Sequence, residues 1–206
     1  MKRGNNVNTP SHLIINLLFL EEAPGNPPVS AIALGSVLPD LPIWIFYLHA
    51  RLVRRLPQRS LWKNAYHDPV WHVFFDAAHS FPLILLGVAM AGWLEMPWWS
   101  WLFASMGLHA LCDLPLHHDD AHRHFFPLSN WRFFSPISYW DVRYHGAITA
   151  RLEVFVVLTG CIILWQRQPL PIMHWLIAFI AGMYALFSVI VWVIGIRRAV
   201  RHNRSD

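Results

Sequence analysis

Long apolar stretches, separated by short polar or basic ones, run along almost the whole chain. Five are long enough to cross a bilayer, which takes roughly 17 to 25 residues. They cover about 29–50, 70–94, 98–116, 147–166 and 172–196. A sixth stretch, His12 to Leu20, is too short to span alone and reads as a helix buried against the others or as the apolar part of a slightly longer tilted helix. The pattern predicts an all-α, polytopic transmembrane bundle: a single integral membrane domain over residues 1–206, with about five spanning helices and a short N-terminal helix. Asp40 follows Pro39 and precedes Pro42, so the run 29–50 is expected to break there. Irregular backbone at membrane depth is tolerated where it lines a cavity. The longest polar segment, 117–146, contains Pro127, Pro136 and the aromatic-rich "FFPLSNWRFFSPISYW". That is not the composition of a disordered linker. It predicts an ordered loop packed over one end of the bundle.

Composition agrees with this reading. Apolar residues make up 55% of the chain and charged residues only 14%, against about 25% charged in a soluble domain. The formal charge of +4 matters less than its placement. Arg51, Arg54, Arg55, Arg59 and Lys63 form one basic cluster, and Arg197, Arg198, Arg201 and Arg204 another. Each flanks an apolar run, which fits the positive-inside rule better than nucleic-acid binding. The segments 51–68 and 117–146 and the C-terminus are therefore expected in the cytoplasm, on a multi-pass protein of the cell inner membrane. Trp93, Trp98, Trp99, Trp101, Trp165 and Trp175 then fall at the outer boundary as an interfacial belt. The N-terminus lacks a small-residue cleavage site and does not read as a signal peptide. Cys112 and Cys161 have no partner at zinc-finger spacing and read as small apolar residues.

Ionisable residues inside spanning helices are costly and suggest a functional site. His72, Asp76 and His79 are spaced i, i+4, i+7, on one face of a helix. His109 and Asp113 are spaced i, i+4, and His117 continues that stripe. With the N-terminus also cytoplasmic, four segments deliver His12, Asp40, His79, His109 and Asp113 to the inner half of the membrane. Beyond them comes "HHDDAHRH", residues 117–124, which adds His117, His118, Asp120 and His122 as further candidate ligands, with His72 on the helix side. Mixed imidazole and carboxylate donors suit zinc first, with manganese or iron as alternatives, singly or as a pair of ions. By contrast, His49, His67, His174 and His202 read as ordinary hydrogen-bonded histidines. The plain alternative for the clustered set is a network of His–Asp pairs that only ties helices together.

"SH" at Ser11–His12, "GSVLPD" at Gly35–Asp40, "HS" at His79–Ser80 and "HALCD" at His109–Asp113 resemble the bacterial membrane-bound metal-dependent hydrolase family, which includes LexA-regulated inner-membrane proteins. The resemblance covers most of the first 145 residues. It implies a metal-dependent hydrolase, with His12, Asp40, His79, His109 and Asp113 as ligands. Two departures stand out. Pro42 takes the place of the family's second acid, and "VFFDAAHS", with Asp76, replaces its His-Arg-Gly stretch.

The expected function is a membrane-bound hydrolase acting on a phosphoester or lipid at the cytoplasmic interface. A metal lowers the pKa of bound water and polarises an ester. Asp76 or Asp119 is the candidate general base. Arg123 and Arg143, with Arg132 and Arg151, are candidates to hold a substrate phosphate, or serve only as positive-inside anchors. The rivals are a non-catalytic metal-stabilised membrane protein and a di-iron membrane oxygenase with a histidine box. A transporter fits poorly, because the outer halves of 70–94, 147–166 and 172–196 are almost wholly apolar.

Overall fold

The computed structural model describes residues 9–139 and 141–202, with side chains to residue 194. The arginines of the C-terminal cluster lie outside the described side chains. The described chain is all-helical: α1 (Thr9–Leu20), α2 (Val29–Val37), α3 (Leu41–Leu48), α4 (Gln58–Lys63), α5 (Pro69–Ala78), α6 (Phe81–Trp93), α7 (Pro97–Asp113), α8 (Gly146–Arg167) and α9 (Pro171–His202). It divides into two compact units, Met1–Thr149 and Ala150–Asp206.

Three stretches are long and apolar enough to cross a bilayer, Val29–Val53, Gly146–Arg167 and Pro171–Ile194, and the bent pair α5 and α6 makes up to four. This is fewer than the five that apolar runs alone predict. The run 98–116 yields α7, a helix of only 17 residues, interrupted by Ser100, Ser105 and His109. The run 70–94 is not one rod: its two halves meet at 47° around His79–Ser80. Ser80 caps α6 by accepting from Leu83 N at 3.2 Å, and Pro82 fills the first turn, where its missing N–H costs nothing.

The break expected at Asp40 is present. Pro39 and Pro42 remove two backbone donors, and a 3-10 turn at Leu38–Asp40 joins α2 to α3. The Val29–Val53 stretch closes in a π turn at His49–Val53. Between α1 and α2 the chain reverses through Gly25 (φ 101°) and Asn26 (φ 51°). Glycine tolerates that left-handed geometry best.

Small and polar residues hold α1, α2 and α7 together, as expected where lipid supplies no hydrophobic drive between helices. Asn16 donates to Ser105 O at 2.7 Å and to Ser105 Oγ at 2.8 Å. Ser105 Oγ in turn donates to Ile32 O at 2.7 Å. At Gly35 the helices touch backbone to backbone: a Cβ there would sit 2.3 Å from Leu102 O and 2.7 Å from Ser105 Cβ. Gly87 plays the same part against the Phe103 ring on the α6–α7 contact. This close approach sets His109, one turn beyond Ser105, against the backbone of α2.

The basic segment after α3 is ordered by aromatic packing. Buried Phe46 meets Trp62, Tyr66, Trp71 and Phe75 edge-on, with centroids 5.4 to 6.3 Å apart. Arg51, Arg54, Arg55, Arg59 and Lys63 remain exposed around that cluster. In the second unit, α8 and α9 expose large apolar side chains along their length, among them Phe155, Ile162, Trp175, Phe179 and Leu186. Lipid would cover such surfaces. The acid of α8, Glu153, accepts from Tyr184 Oη of α9 at 2.7 Å.

Candidate metal centre

Two helix breaks of the first unit, α2–α3 and α5–α6, face one cluster of side chains. The break between α2 and α3 supplies Asp40. The break between α5 and α6 supplies His79. The first turns of α1 supply His12, and the last turn of α7 supplies His109 and Asp113. The structure thus brings together all five residues expected to form the core of the site.

Asp113 is the hub. Its Oδ1 lies 3.0 Å from His12 Nε2 and 3.7 Å from His117 Nε2. Its Oδ2 lies 3.2 Å from His109 Nε2 and 3.3 Å from His79 Nε2. Asp40 Oδ1 is 3.7 Å from His109 Nε2, while its other oxygen accepts from Thr9 Oγ1 at 2.5 Å. His12 and His109 stack with centroids 3.7 Å apart, and His79 and His122 stack at 4.0 Å. His12, His79, His109, Asp113 and His122 are all buried.

Two rings have their tautomers fixed by backbone. His79 Nδ1 faces Phe75 O at 2.9 Å, and His109 Nδ1 faces Ser36 O at 2.7 Å. A carbonyl only accepts, so each Nδ1 carries the hydrogen. In a neutral ring Nε2 then presents a lone pair. Both Nε2 atoms are buried and lack a hydrogen-bond donor or acceptor, yet both converge on Asp113 Oδ2. Lone pairs and a carboxylate this close repel one another unless a cation lies among them. A proton on one Nε2, held against the Asp113 carboxylate, is the other way to relieve that repulsion. A ring held by a carbonyl on its far nitrogen is also the usual support for a metal-ligating histidine. Three overlapping groups can hold a metal ion, with ligand atoms within 4.8 Å of one another: His12, His109 and Asp113; Asp40, His79 and His109; and His79, Asp113 and His122.

The 117–146 loop covers this centre, and the bonds that fix it are on α5, α6 and α7. Asp76, wholly buried on α5, accepts from Arg123 N at 2.9 Å and from Arg123 Nε at 2.5 Å. Arg132 approaches the same carboxylate at 3.7 Å and donates to Ala121 O. At the break before α6, Phe81 N donates to His124 O at 2.8 Å, and Ser80 Oγ donates to Phe126 O. Ser135 Oγ donates to Pro115 O at 2.5 Å.

Loop histidines divide by which side of the chain they face. His117 turns inward, with Nδ1 3.0 Å from Asp120 Oδ2. Burial opposes its charge, but Asp120 and Asp113 outweigh that and hold its pKa well above the usual imidazole value. Burial, then His79 and His117, hold His122 well below it, so His122 is a neutral ring available as a ligand. His124 is pushed down to about 4, chiefly by burial and then by His79. Both its ring nitrogens are buried without a hydrogen-bond partner. No simple sequence signal separates it from its neighbours.

Other candidates fall elsewhere. His72 sits seven residues before His79, about 10 Å along a helix axis, and packs on Tyr66 and Phe75. It does not reach the centre, because the stripe ends where α5 ends. His118 faces Ser135 O at 2.6 Å and stacks on Tyr144 at 3.8 Å, away from Asp113. Asp119 is exposed and belongs to none of the three ligand groups. Arg123 is engaged by Asp76 and, through NH1, by Asn130 Oδ1 at 2.8 Å. Arg143 is exposed and pairs with Asp141 at 2.5 Å. Arg151 belongs to the second unit.

Comparisons with protein families, curated proteins and solved structures found no match to this chain.

Proposed function

We propose that this protein is a membrane-embedded, metal-dependent hydrolase whose centre lies at the cytoplasmic interface, with a phosphoester or lipid as substrate. The observation that carries the reading is the convergence of two fixed imidazole lone pairs on the Asp113 carboxylate. The family resemblance of the four short motifs supports the reaction class. A divalent ion bound there supplies Lewis-acid polarisation of an ester oxygen and a water of lowered pKa. His12, His79, His109, Asp113 and Asp40 would hold it, and zinc is the ion best matched to such a donor set. Backbone carbonyls of Ser36 and Phe75 aim two of the imidazoles. The aromatic loop keeps bulk water out. Within this reading Asp119, exposed at the loop, remains the candidate proton acceptor.

The orientation rests on the exposed arginines that follow Val29–Val53 and on Trp98 and Trp99 at the end of α7 opposite Asp113. A reporter fused at residue 60 should lie in the cytoplasm of an inner-membrane host, and one at 95–97 outside. The reverse result would remove the cytoplasmic site while leaving its geometry intact.

The activity test uses full-length protein reconstituted in vesicles of phosphatidylglycerol and phosphatidic acid. Release of diacylglycerol or inorganic phosphate should stop on chelation and return with zinc or manganese. Turnover that is insensitive to chelation would contradict the proposal.

One observation favours a second reading, a structural metal site. The ligands are closed over by the loop, and structural sites are closed where catalytic ones keep an open position. In that case chelation lowers the melting temperature and no ester is hydrolysed.

A further inference from the structure

We propose that the centre takes two divalent ions bridged by Asp113, the second completed only by His122 from the covering loop. This rests on the metal-centre reading above and deepens it.

Donor number points to a pair. Four buried imidazoles, of His12, His79, His109 and His122, gather with the carboxylates of Asp113 and Asp40. Zinc in protein sites takes four ligands, so one such ion leaves donors over. Those donors form two stacked pairs, His12 on His109 at 3.7 Å and His79 on His122 at 4.0 Å with only 7° between ring planes. No ligand group contains both His12 and His122, while Asp40, His79 and His109 form a group where the pairs meet. Asp113 reaches both pairs: Oδ1 is 3.0 Å from His12, and Oδ2 is 3.2 Å from His109 and 3.3 Å from His79. A carboxylate in contact with members of both pairs is placed to bridge two ions. The first position comprises His12, His109 and Asp113, all from α1 and α7. The second comprises His79, His122 and Asp113.

The two positions differ in origin. The first depends only on helices. The second depends on the loop, which is held by the Asp76–Arg123 pair next to His122. Releasing the loop should therefore empty the second position and spare the first.

The test is manganese titration of the full-length, chelator-stripped protein in detergent, read by bound-metal analysis and electron paramagnetic resonance. The unmodified protein should bind two ions. Its spectrum should show exchange coupling, with hyperfine spacing half that of an isolated ion. His122→Ala should bind one ion with an uncoupled spectrum, and Arg123→Ala should do the same. One uncoupled ion in the unmodified protein would overturn the two-ion proposal and leave the metal-centre reading standing. Two coupled ions persisting in folded His122→Ala would also overturn it. No bound ion at all in the unmodified protein would overturn both. The spectrum of the unmodified protein decides the matter even if the variants do not fold.

Discussion

Asp113→Asn should strip the centre of its metal. The substitution keeps size and shape but removes the negative charge that four imidazoles face at 3.0 to 3.7 Å. The amide also turns an N–H toward nitrogens that should be donating lone pairs. Loss of an outer partner of a ligand costs roughly 10- to 100-fold in affinity, and loss of the shared carboxylate should cost more. The check is metal content after dialysis against a weak chelator, alongside Asp119→Asn. Asp119 is exposed and outside the ligand groups, so its variant should keep metal. If Asp119 is the general base, turnover alone falls in that variant, by about 10²- to 10⁴-fold. Wild-type metal content in a folded Asp113→Asn protein would mean that the carboxylate is not at the hub of the site.

The second large effect is on stability. Asp76→Asn should destabilise the protein by about 3–5 kcal/mol, the usual cost of removing one member of a buried ion pair. Arg123 would keep its charge beside a neutral amide, in a place where Asp76 now accepts from both its backbone and its side chain. The expected readout is a clear fall in melting temperature in detergent. The double variant Asp76→Asn with Arg123→Met should recover part of the loss, because only Arg132, at 3.7 Å and partly exposed, then keeps a charge there. A general-base role for Asp76 predicts another pattern: turnover down about 10²- to 10⁴-fold with melting temperature unchanged. The sequence spacing of His72, Asp76 and His79 suggested that role. The geometry gives Asp76 the work of fastening the loop, and the two patterns separate the alternatives.

The five residues that converge were legible because each is a His or Asp where an apolar run has no other use for one. Spacing of i, i+4 identified His109 and Asp113 as a pair, and two prolines announced the break at Asp40. Other features were hidden for physical reasons. The break at His79–Ser80 leaves the apolar run uninterrupted. Its signal is local, a serine cap two residues before Pro82 in "HSFP". In the loop no periodicity tells His122, which faces the centre, from His118, which faces Tyr144. The partnership of Asp76 with Arg123 joins residues 47 positions apart, and no short-range pattern encodes it. Run length does not reveal that α7 has only 17 residues or that α5 and α6 meet at an angle.

The most direct measurement is elemental analysis of the full-length protein, purified in detergent without added metal or chelator. The account predicts at least one stoichiometric transition metal per chain, zinc before manganese or iron, released together with a fall in melting temperature on strong chelation. A folded protein that carries no transition metal, and takes none up when zinc is supplied, would contradict it and leave the convergent histidines as a polar network that ties the helices together.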